Sequence, residues 1–342
     1  MSGVPAVSVV VVTWERRELL ARCLASLARQ TFRDFDVVVV DNGSRDGTAA
    51  FVRSLDRPEI RLVELPENRG FSAGCNAGIA ASSGRYVATL NNDAEAEPGW
   101  LAALVAALEA DPRLGMGASK ILYHADRRYI DKAGHHLWWD GLNHGRGCGE
   151  LDRGQYDRPG ESFFPDGAAA LYRRAMLDEI GGFDARFFAY GDDCDLGLRG
   201  RLAGWGCAYV PAAVVAHVHS ATAGEYSAFK ARLIERNRVW VMVKYFPLTL
   251  ILFSPLLTAL RLTVHALGSL FGIGLSGRFA RSASRLGLAL AILSSYREAV
   301  TGLPSMWRAR RAFAPRRRVG SLGFLRLLWR HRASLWSVTL GP

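Results

Sequence analysis

The chain has little of several things that would settle a function outright. Its five cysteines, Cys23, Cys75, Cys148, Cys194 and Cys207, are odd in number and form no CxxC pair. That argues against a disulfide framework or a cysteine zinc site and fits a reducing compartment. The residues after the first valine-rich run, Val12-Thr13-Trp14-Glu15, contain no glycine. The glycine fingerprint of dinucleotide-binding folds is therefore missing where it would be needed, and no GxxxxGK[ST] phosphate loop occurs. The start, Met1-Ser2-Gly3-Val4-Pro5, has no basic segment, and Val7–Val12 is too short for a signal core. No secretion signal is read there. There is no internal repeat and no low-complexity segment.

Acidic residues are scarce in one part only. Residues 230–342 hold 19 Lys/Arg but only Glu235 and Glu298, a net +17, whereas residues 1–229 hold 24 Lys/Arg and 30 Asp/Glu, a net −6. The overall +11 thus averages an acidic globular part and a basic tail. Such asymmetry suggests a polyanionic partner, either nucleic acid or anionic lipid. Residues 245–260 and 262–277 are two uncharged runs of 16 separated by Arg261. A bilayer span needs ~20 apolar residues, and Pro247, Pro255 and several glycines interrupt these runs. Interfacial or re-entrant helices are expected rather than spans. Arginines interleaved with Trp307 and Trp329 suit an anionic headgroup layer. The absence of basic patches interleaved with stacking aromatics in the first part weighs against nucleic acid.

What is present is a core-forming chain, 49% hydrophobic over 342 residues, enough for one large domain or two modest ones. Strands are predicted at Val7–Val12, Asp36–Val40, Ile60–Glu64 and Tyr86–Leu90. Helical patterns lie between them at Glu18–Leu27, after Asp46-Gly47-Thr48, and at Trp100–Glu109. This alternation predicts an α/β fold with a mainly parallel sheet. From Leu122 to Phe164 periodicity fades into long loops and short pieces, which in a compact domain are usually functional. Gly167–Arg174 and Met176–Ile180 read as helical, and Ala208–Val210 and Ala213–Val215 as short strands around Pro211.

Four clusters could carry chemistry. The strand Tyr86–Leu90 stops at Asn91-Asn92-Asp93, and ligands of open α/β sheets bind beyond the carboxyl ends of strands. An acid there can hold a hard cation against a phosphate. A second strand ends in Asp41-Asn42-Gly43-Ser44, either an Asx turn or an acid for a nucleotide base or ribose. Asn68-Arg69-Gly70 opens a segment with glycines at 70, 74 and 78. It is either a tightly packed helix or a helix start whose N–H groups face phosphate. Asp192, Asp193 and Asp195 fall within four residues beside Phe187, Phe188 and Tyr190. Crowded acids raise one another's pKa, which suits a general base. His217 and His219 follow a strand and share one face.

Taken in order, Asp41-Asn42-Gly43-Ser44, Asn68-Arg69-Gly70-Phe71, Asn91-Asn92-Asp93, Gly181-Gly182-Phe183-Asp184, Asp192-Asp193-Cys194-Asp195 and His217 make the chain resemble the family 2 glycosyltransferases. Within them it is most similar to the rhamnosyltransferase type. The resemblance covers roughly residues 5–245, including Glu235-Arg236-Asn237-Arg238. It implies a GT-A fold, a Rossmann-like open mixed sheet flanked by helices, with a C-terminal helical membrane-associated region. Residues 1–244 would be catalytic, with a donor half to about 120 and an acceptor half after it; residues 245–342 would associate with membrane.

The implied activity is inverting, metal-dependent transfer from a dTDP- or UDP-sugar to a lipid-linked saccharide at the cytoplasmic face of the cell membrane. Asp193 is the implied base. Asp93 and His217 are the implied ligands of Mg²⁺ or Mn²⁺, with His219 second to His217. Thr13, Asp41, Asn68, Arg69, Gly70, Asn76, Asn91, Asn92 and Asp93 would bind donor. Asp192, Asp195 and Trp205 would bind acceptor, with Trp138 and Trp139 as a further sugar platform. Asn91 stands where the family's DxD motif has its first acid. A nucleic-acid-binding protein and a nucleotidyltransferase are the competing readings.

Overall fold

The computed structural model describes residues 3–218, 227–274, 276–277 and 285–341, so His219 lies outside the described residues. The strands are Val7–Thr13 (β1), Phe35–Asp41 (β2), Ile60–Glu64 (β3), Tyr86–Leu90 (β4), Ala94–Ala96 (β5), Leu114–Tyr123 (β6), Ile130–Lys132 (β7), His135–Leu137 (β8), Asn143–Gly145 (β9), Gly160–Glu161 (β10), Ala169–Arg173 (β11) and Gly206–His217 (β12). The helices are Arg17–Ala28 (α1), Thr48–Ser54 (α2), Gly70–Ala80 (α3), Trp100–Ala110 (α4), Arg174–Ile180 (α5), Asp192–Leu202 (α6), Ala228–Tyr245 (α7), Leu248–Phe271 (α8), Arg285–Phe313 (α9), Ser321–Arg330 (α10) and Leu335–Thr339 (α11).

One mixed sheet runs β10-β12-β6-β11-β4-β1-β2-β3, with β5 against β12 and β7 against β6. Strands β1 to β4 pair in parallel, β11 runs antiparallel between β4 and β6, and β12 is parallel to β6. Strand β1 is buried along its whole length, the pattern of a strand covered on both faces. Its alternation divides two cores. Val10, Val12, Val38 and Val40 face one layer, and Val9, Val11, Val37 and Val39 the other. Helix α3 approaches β1 closely because it lacks side chains there. A Cβ on Gly74 would meet Val12 Cγ1 at 2.6 Å, and one on Gly78 would meet Val10 Cγ1 at 2.3 Å. Those two glycines serve packing.

Three elements depart from the sequence-based expectation. Gly167–Arg174 was expected to be helical, but Ala169–Arg173 is a central strand. Its alanines favour a helix intrinsically, yet antiparallel pairing on both sides holds them in the sheet, with Ala170 opposite Thr89 of β4 and Ala118 of β6. The two short strands expected around Pro211 are one strand, β12, with a register shift between Val210 and Val214. A bulge is where a strand tolerates proline. The two uncharged runs join in one helix, α8, that passes straight through Arg261. Arg261 does not interrupt it, because its guanidinium is buried against Asp140 and Glu235.

The C-terminal helices share the core of the sheet-bearing part. Phe246, Ala299, Met306, Phe313, Phe324 and Leu328 join the same buried cluster as Val10 and Met116. The Arg318 and Val319 N–H groups both donate to Leu202 O, at 2.8 and 3.0 Å.

Candidate active site

Strands β1, β2, β4 and β12 end on one edge of the sheet, and the acids gather there. Asp93 follows β4 and His217 closes β12, so His217 Nε2 faces Asp93 Oδ1 at 3.3 Å. The other ring nitrogen, Nδ1, lies 2.7 Å from Asp131 Oδ2. Burial alone would push the His217 pKa down, but the Asp131 hydrogen bond and the Asp93 carboxylate hold it up at about 9. Asp93 Oδ1 is buried with no hydrogen-bond donor aligned on it. Two ligands at ~2.1 Å on adjacent vertices of an octahedron stand about 3 Å apart. The facing pair therefore fits a shared cation, with Asp131 fixing the imidazole as a second-layer carboxylate does at many metal sites.

A second group adjoins the first. His135 Nε2 lies 2.9 Å from Asp166 Oδ2 and 3.6 Å from Asp193 Oδ2. These three residues also bring one ligand atom each to within 4.8 Å of one another. Here, however, a cation is already resident, since Lys132 Nζ is 2.8 Å from Asp166. Lys132 also reaches Asp131 at 3.7 Å. The order Asp93, His217, Asp131, Lys132, Asp166, His135, Asp193 is thus a continuous alternation of acid and base. Burial raises the Asp193 pKa, and His135 beside it opposes the rise. Burial would raise Asp166 too, but Lys132 and His135 hold it well below the usual carboxylate range. Asp192 is pushed up to about 8 by burial and then by Asp193, while its Oδ2 accepts the Ser72 hydroxyl at 3.1 Å.

The loop that presents Asp192 and Asp193 is strained and over-determined. Phe188 (φ 67°) and Tyr190 (φ 65°) lie in the left-handed region, at a cost of order 1–3 kcal/mol each. Fully buried Asn237 on α7 holds them, its Nδ2 donating to Phe187 O (3.1 Å), Ala189 O (2.9 Å) and Tyr190 O (2.6 Å). Gly70 supports the loop from the other side. It has φ 83°, and a Cβ there would meet Phe188 O at 2.5 Å.

The other expected donor residues are mainly joined to one another. Asn92 Nδ2 donates to Thr13 Oγ1 at 3.0 Å, tying the ends of β4 and β1. Asp41 is buried, and its Oδ1 accepts the Ser44 N–H at 3.1 Å in an Asx turn. Asn91 stands half-buried between these ends, its N–H bonded to Ala168 O at 2.9 Å. The N–H groups of Arg69 and Gly70 are occupied by Asn42 Oδ1 (3.0 Å) and Asn68 Oδ1 (2.9 Å). The Ser72 N–H donates to Phe188 O at 3.2 Å. These groups do not form an open phosphate cradle, although the Arg69 side chain is exposed at the helix start.

Three expected site residues are placed elsewhere. The Asn76 amide clasps the Phe183 main chain, donating to its O (2.7 Å) and accepting from its N (2.8 Å), so its polar atoms are engaged within the protein. Asp195 is wholly buried, bound by Lys244, by Tyr245 Oη (2.8 Å) and by Arg199 (3.1 Å). It holds α6 to α7 and cannot reach an acceptor. Trp205 precedes β12 and donates to Glu179 Oε2 at 2.9 Å. Its distance from His217 follows from the paired strand: β6 rises nine residues at ~3.3 Å each between Leu114, opposite Gly206, and Tyr123, opposite His217, which puts Trp205 roughly 30 Å away, at the opposite sheet edge. Of the tryptophans in the aromatic loop, Trp139 packs on Trp329 at 6.0 Å.

Asp131, Lys132, His135 and Asp166 were not singled out from the sequence, and Asn237 was named only within the Glu235-Arg236-Asn237-Arg238 motif, with no role given. The first three sit in the aperiodic segment, whose length was the signal that it carries function.

The open mixed sheet with its acids gathered at the carboxyl edge is the architecture of the GT-A fold. The chain belongs to glycosyl transferase family 2, whose model matches residues 8–181. A model of glycosyl transferase family 21 matches residues 160–336. The N-acetylglucosaminyl-diphospho-decaprenol L-rhamnosyltransferase of Mycobacterium tuberculosis is 33% identical over 232 residues, 61% of this chain and 75% of that one. The pre-mycofactocin glycosyltransferase of the same organism is 30% identical over 234 residues, 66% of this chain and 45% of that one. Among solved structures, the mannosyltransferase PcManGT of Pyrobaculum calidifontis, in complex with GDP-Man and Mn²⁺, matches with a TM-score of 0.51. It is 20% identical and covers 96% of this chain and 88% of its own. GalNAc-T7 with UDP, GalNAc and Mn²⁺ matches with a TM-score of 0.55 at 16% identity, over 70% of this chain and 51% of that chain.

Proposed function

We propose that this glycosyltransferase moves a sugar, rhamnose first among candidates, from a dTDP- or UDP-linked donor to a hydroxyl of a lipid-linked saccharide, inverting the anomeric centre. The observation that carries the reading is the Asp93–His217 pair at the strand ends, with Asp193 at the other end of the same charge series. Support for the acceptor class comes from the rhamnosyltransferase relative, named for a decaprenyl-diphosphate-linked substrate. Support for a divalent cation comes from the Mn²⁺ in both structural neighbours.

In this reading Asp93 and His217 hold Mg²⁺ or Mn²⁺, with Asp131 orienting the imidazole. When bound, the cation would neutralise charge growing on the leaving diphosphate. Asn91, Asn92, Asp41 and Thr13 shape the donor side at the strand ends, with Arg69 offering a cation at the helix start. Asp193 takes the proton of the acceptor hydroxyl. The acceptor oxygen forms its bond to the anomeric carbon as the carbon–diphosphate bond breaks, and that bond's electron pair leaves with the nucleoside diphosphate. No covalent enzyme intermediate is required. His135, 3.6 Å away, favours the carboxylate form of Asp193 against the effect of burial, the Cys194 N–H donates to Asp193 Oδ1, and Asp192, bonded to Ser72, lines the acceptor side.

Residues 1–244 make up the catalytic part in this account, and residues 245–342 hold it to the cytoplasmic face of the membrane. The apolar outer surface of α8 favours lipid over nucleic acid as the partner of the basic tail. A donor screen tests the reading. Nucleotide sugars are offered with and without Mn²⁺, and consumption of one dTDP- or UDP-sugar only with metal is expected. Turnover without metal, or no turnover of any donor with metal, would remove it.

A further inference from the structure

Helix α8 is the one described helix long and apolar enough to cross a membrane. Its 24 residues extend about 36 Å at 1.5 Å per residue, so length alone permits a span. The distribution of its side chains does not. Leu248, Leu252, Leu256, Leu260, Leu267 and Phe271 are exposed, between 48 and 76%. At 100° per residue they fall in one arc along the whole helix. Thr258, Arg261 and Gly268 are buried on the opposite side.

The midpoint of that inner side is fastened by charge. Arg261 is 2% exposed, and its Nε lies 2.7 Å from Asp140 while its Nη2 lies 2.8 Å from Glu235. Thr258 Oγ1 donates to Asp140 at 3.1 Å, and Arg238 on α7 completes the cluster. A spanning α8 would set this four-charge cluster, and the sheet-bearing part attached to it, at the hydrocarbon midplane, where ionised groups are disfavoured. Helix α9 repeats the pattern. Leu286, Leu290 and Leu293 are exposed on one stripe that continues into exposed Arg297, Arg308 and Arg311. Apolar and basic residues on one outer surface are the chemistry of an anionic leaflet.

We infer that α8 is a monotopic anchor. Its outer arc lies in the plane of an anionic bilayer along its full length, and the Arg261–Asp140–Glu235 cluster faces away from the lipid. This rests on the membrane-surface reading above and fixes its geometry. Residue Asp140 lies on the same segment as Asp131 and His135, so the anchor and both halves of the active site share one strap of chain.

The test uses the full chain with vesicles of phosphatidylcholine and phosphatidylglycerol. Cysteines placed at Leu248, Leu260 and Phe271 carry an environment-sensitive fluorophore, and lipids brominated at graded depths quench it, with the wild-type chain as the labelling blank. Equal, shallow depths at all three positions are expected, and Leu256→Glu with Leu260→Glu should lower vesicle binding at least tenfold while donor hydrolysis in solution is unchanged. Leu260 deeper than both ends by about half of the ~30 Å hydrocarbon core would mean a span and overturn the inference while leaving membrane association standing. Failure of the wild type to bind vesicles at all would overturn both.

Discussion

His217 Nδ1 lies 2.7 Å from Asp131 Oδ2, a contact that joins the last residue of β12 to a three-residue strand 86 positions earlier. It directs Nε2 toward Asp93 and, in the proposed mechanism, would set the imidazole for a cation. Asp131→Asn should therefore leave the fold intact and weaken Mn²⁺ affinity, by roughly 10–100-fold as second-layer substitutions do. Isothermal titration with Mn²⁺ in the presence of nucleoside diphosphate reads this directly. Unchanged affinity would mean that Asp131 only packs.

Asp193→Asn removes the proposed proton acceptor without touching the strand ends. Transfer should fall about 10²–10⁴-fold, the usual worth of a positioned base, with nucleotide affinity within twofold of wild type. Normal turnover by this variant contradicts the assignment.

Asp192 gives a pH-dependent stability with a definite sign. Its pKa is raised to about 8 in the folded protein, by burial first and Asp193 second. Between the unfolded value near 4 and that folded value the native state holds the extra proton, so stability declines as pH rises across the window. Asp192→Asn keeps an acceptor for the Ser72 hydroxyl but carries no charge. Its melting temperature should exceed wild type at pH 8, and the difference should shrink toward pH 4. A constant difference would place the cause outside this titration.

Asn237→Ala tests the support of the acidic loop. Three carbonyls lose one buried donor, and the left-handed Phe188 and Tyr190 lose what holds them. Activity should drop at least tenfold with little change in nucleotide binding, and hydrogen exchange should quicken at 187–191. Gly78→Ala is a packing test of a different kind. A Cβ 2.3 Å from Val10 cannot be accommodated without a shift, so a loss of about 1–3 kcal/mol is expected. Gly99→Ala, with open space around its Cβ, is the control.

The parallel half of the fold was legible because its short runs are rich in β-branched and other apolar residues and alternate with helical patterns. Strand β11 was not. Alanine carries no strand signal, and the segment is a strand because of its pairing with β4 on one side and β6 on the other, partners remote in sequence. The pairing of Asp93 with His217 could be proposed from motif order, since both end strands. The remainder of the charge series could not, because Asp131, Lys132 and His135 sit on strands of three residues whose register depends on tertiary contacts. Asp195 and Trp205 show the opposite error. A third acid and a nearby indole look like site residues in one dimension, but one helical turn places Asp195 against Lys244, and one long strand carries Trp205 to the far edge.

The most direct measurement is transfer itself, by the full chain, from a panel of dTDP- and UDP-sugars to a polyprenyl-diphosphate-linked saccharide, with the product's anomeric configuration determined. The account predicts one accepted donor, an inverted glycosidic bond, and activity lost in EDTA, restored by Mn²⁺ or Mg²⁺ and severely reduced in His217→Ala. Retention of configuration, or full turnover in EDTA, would contradict it.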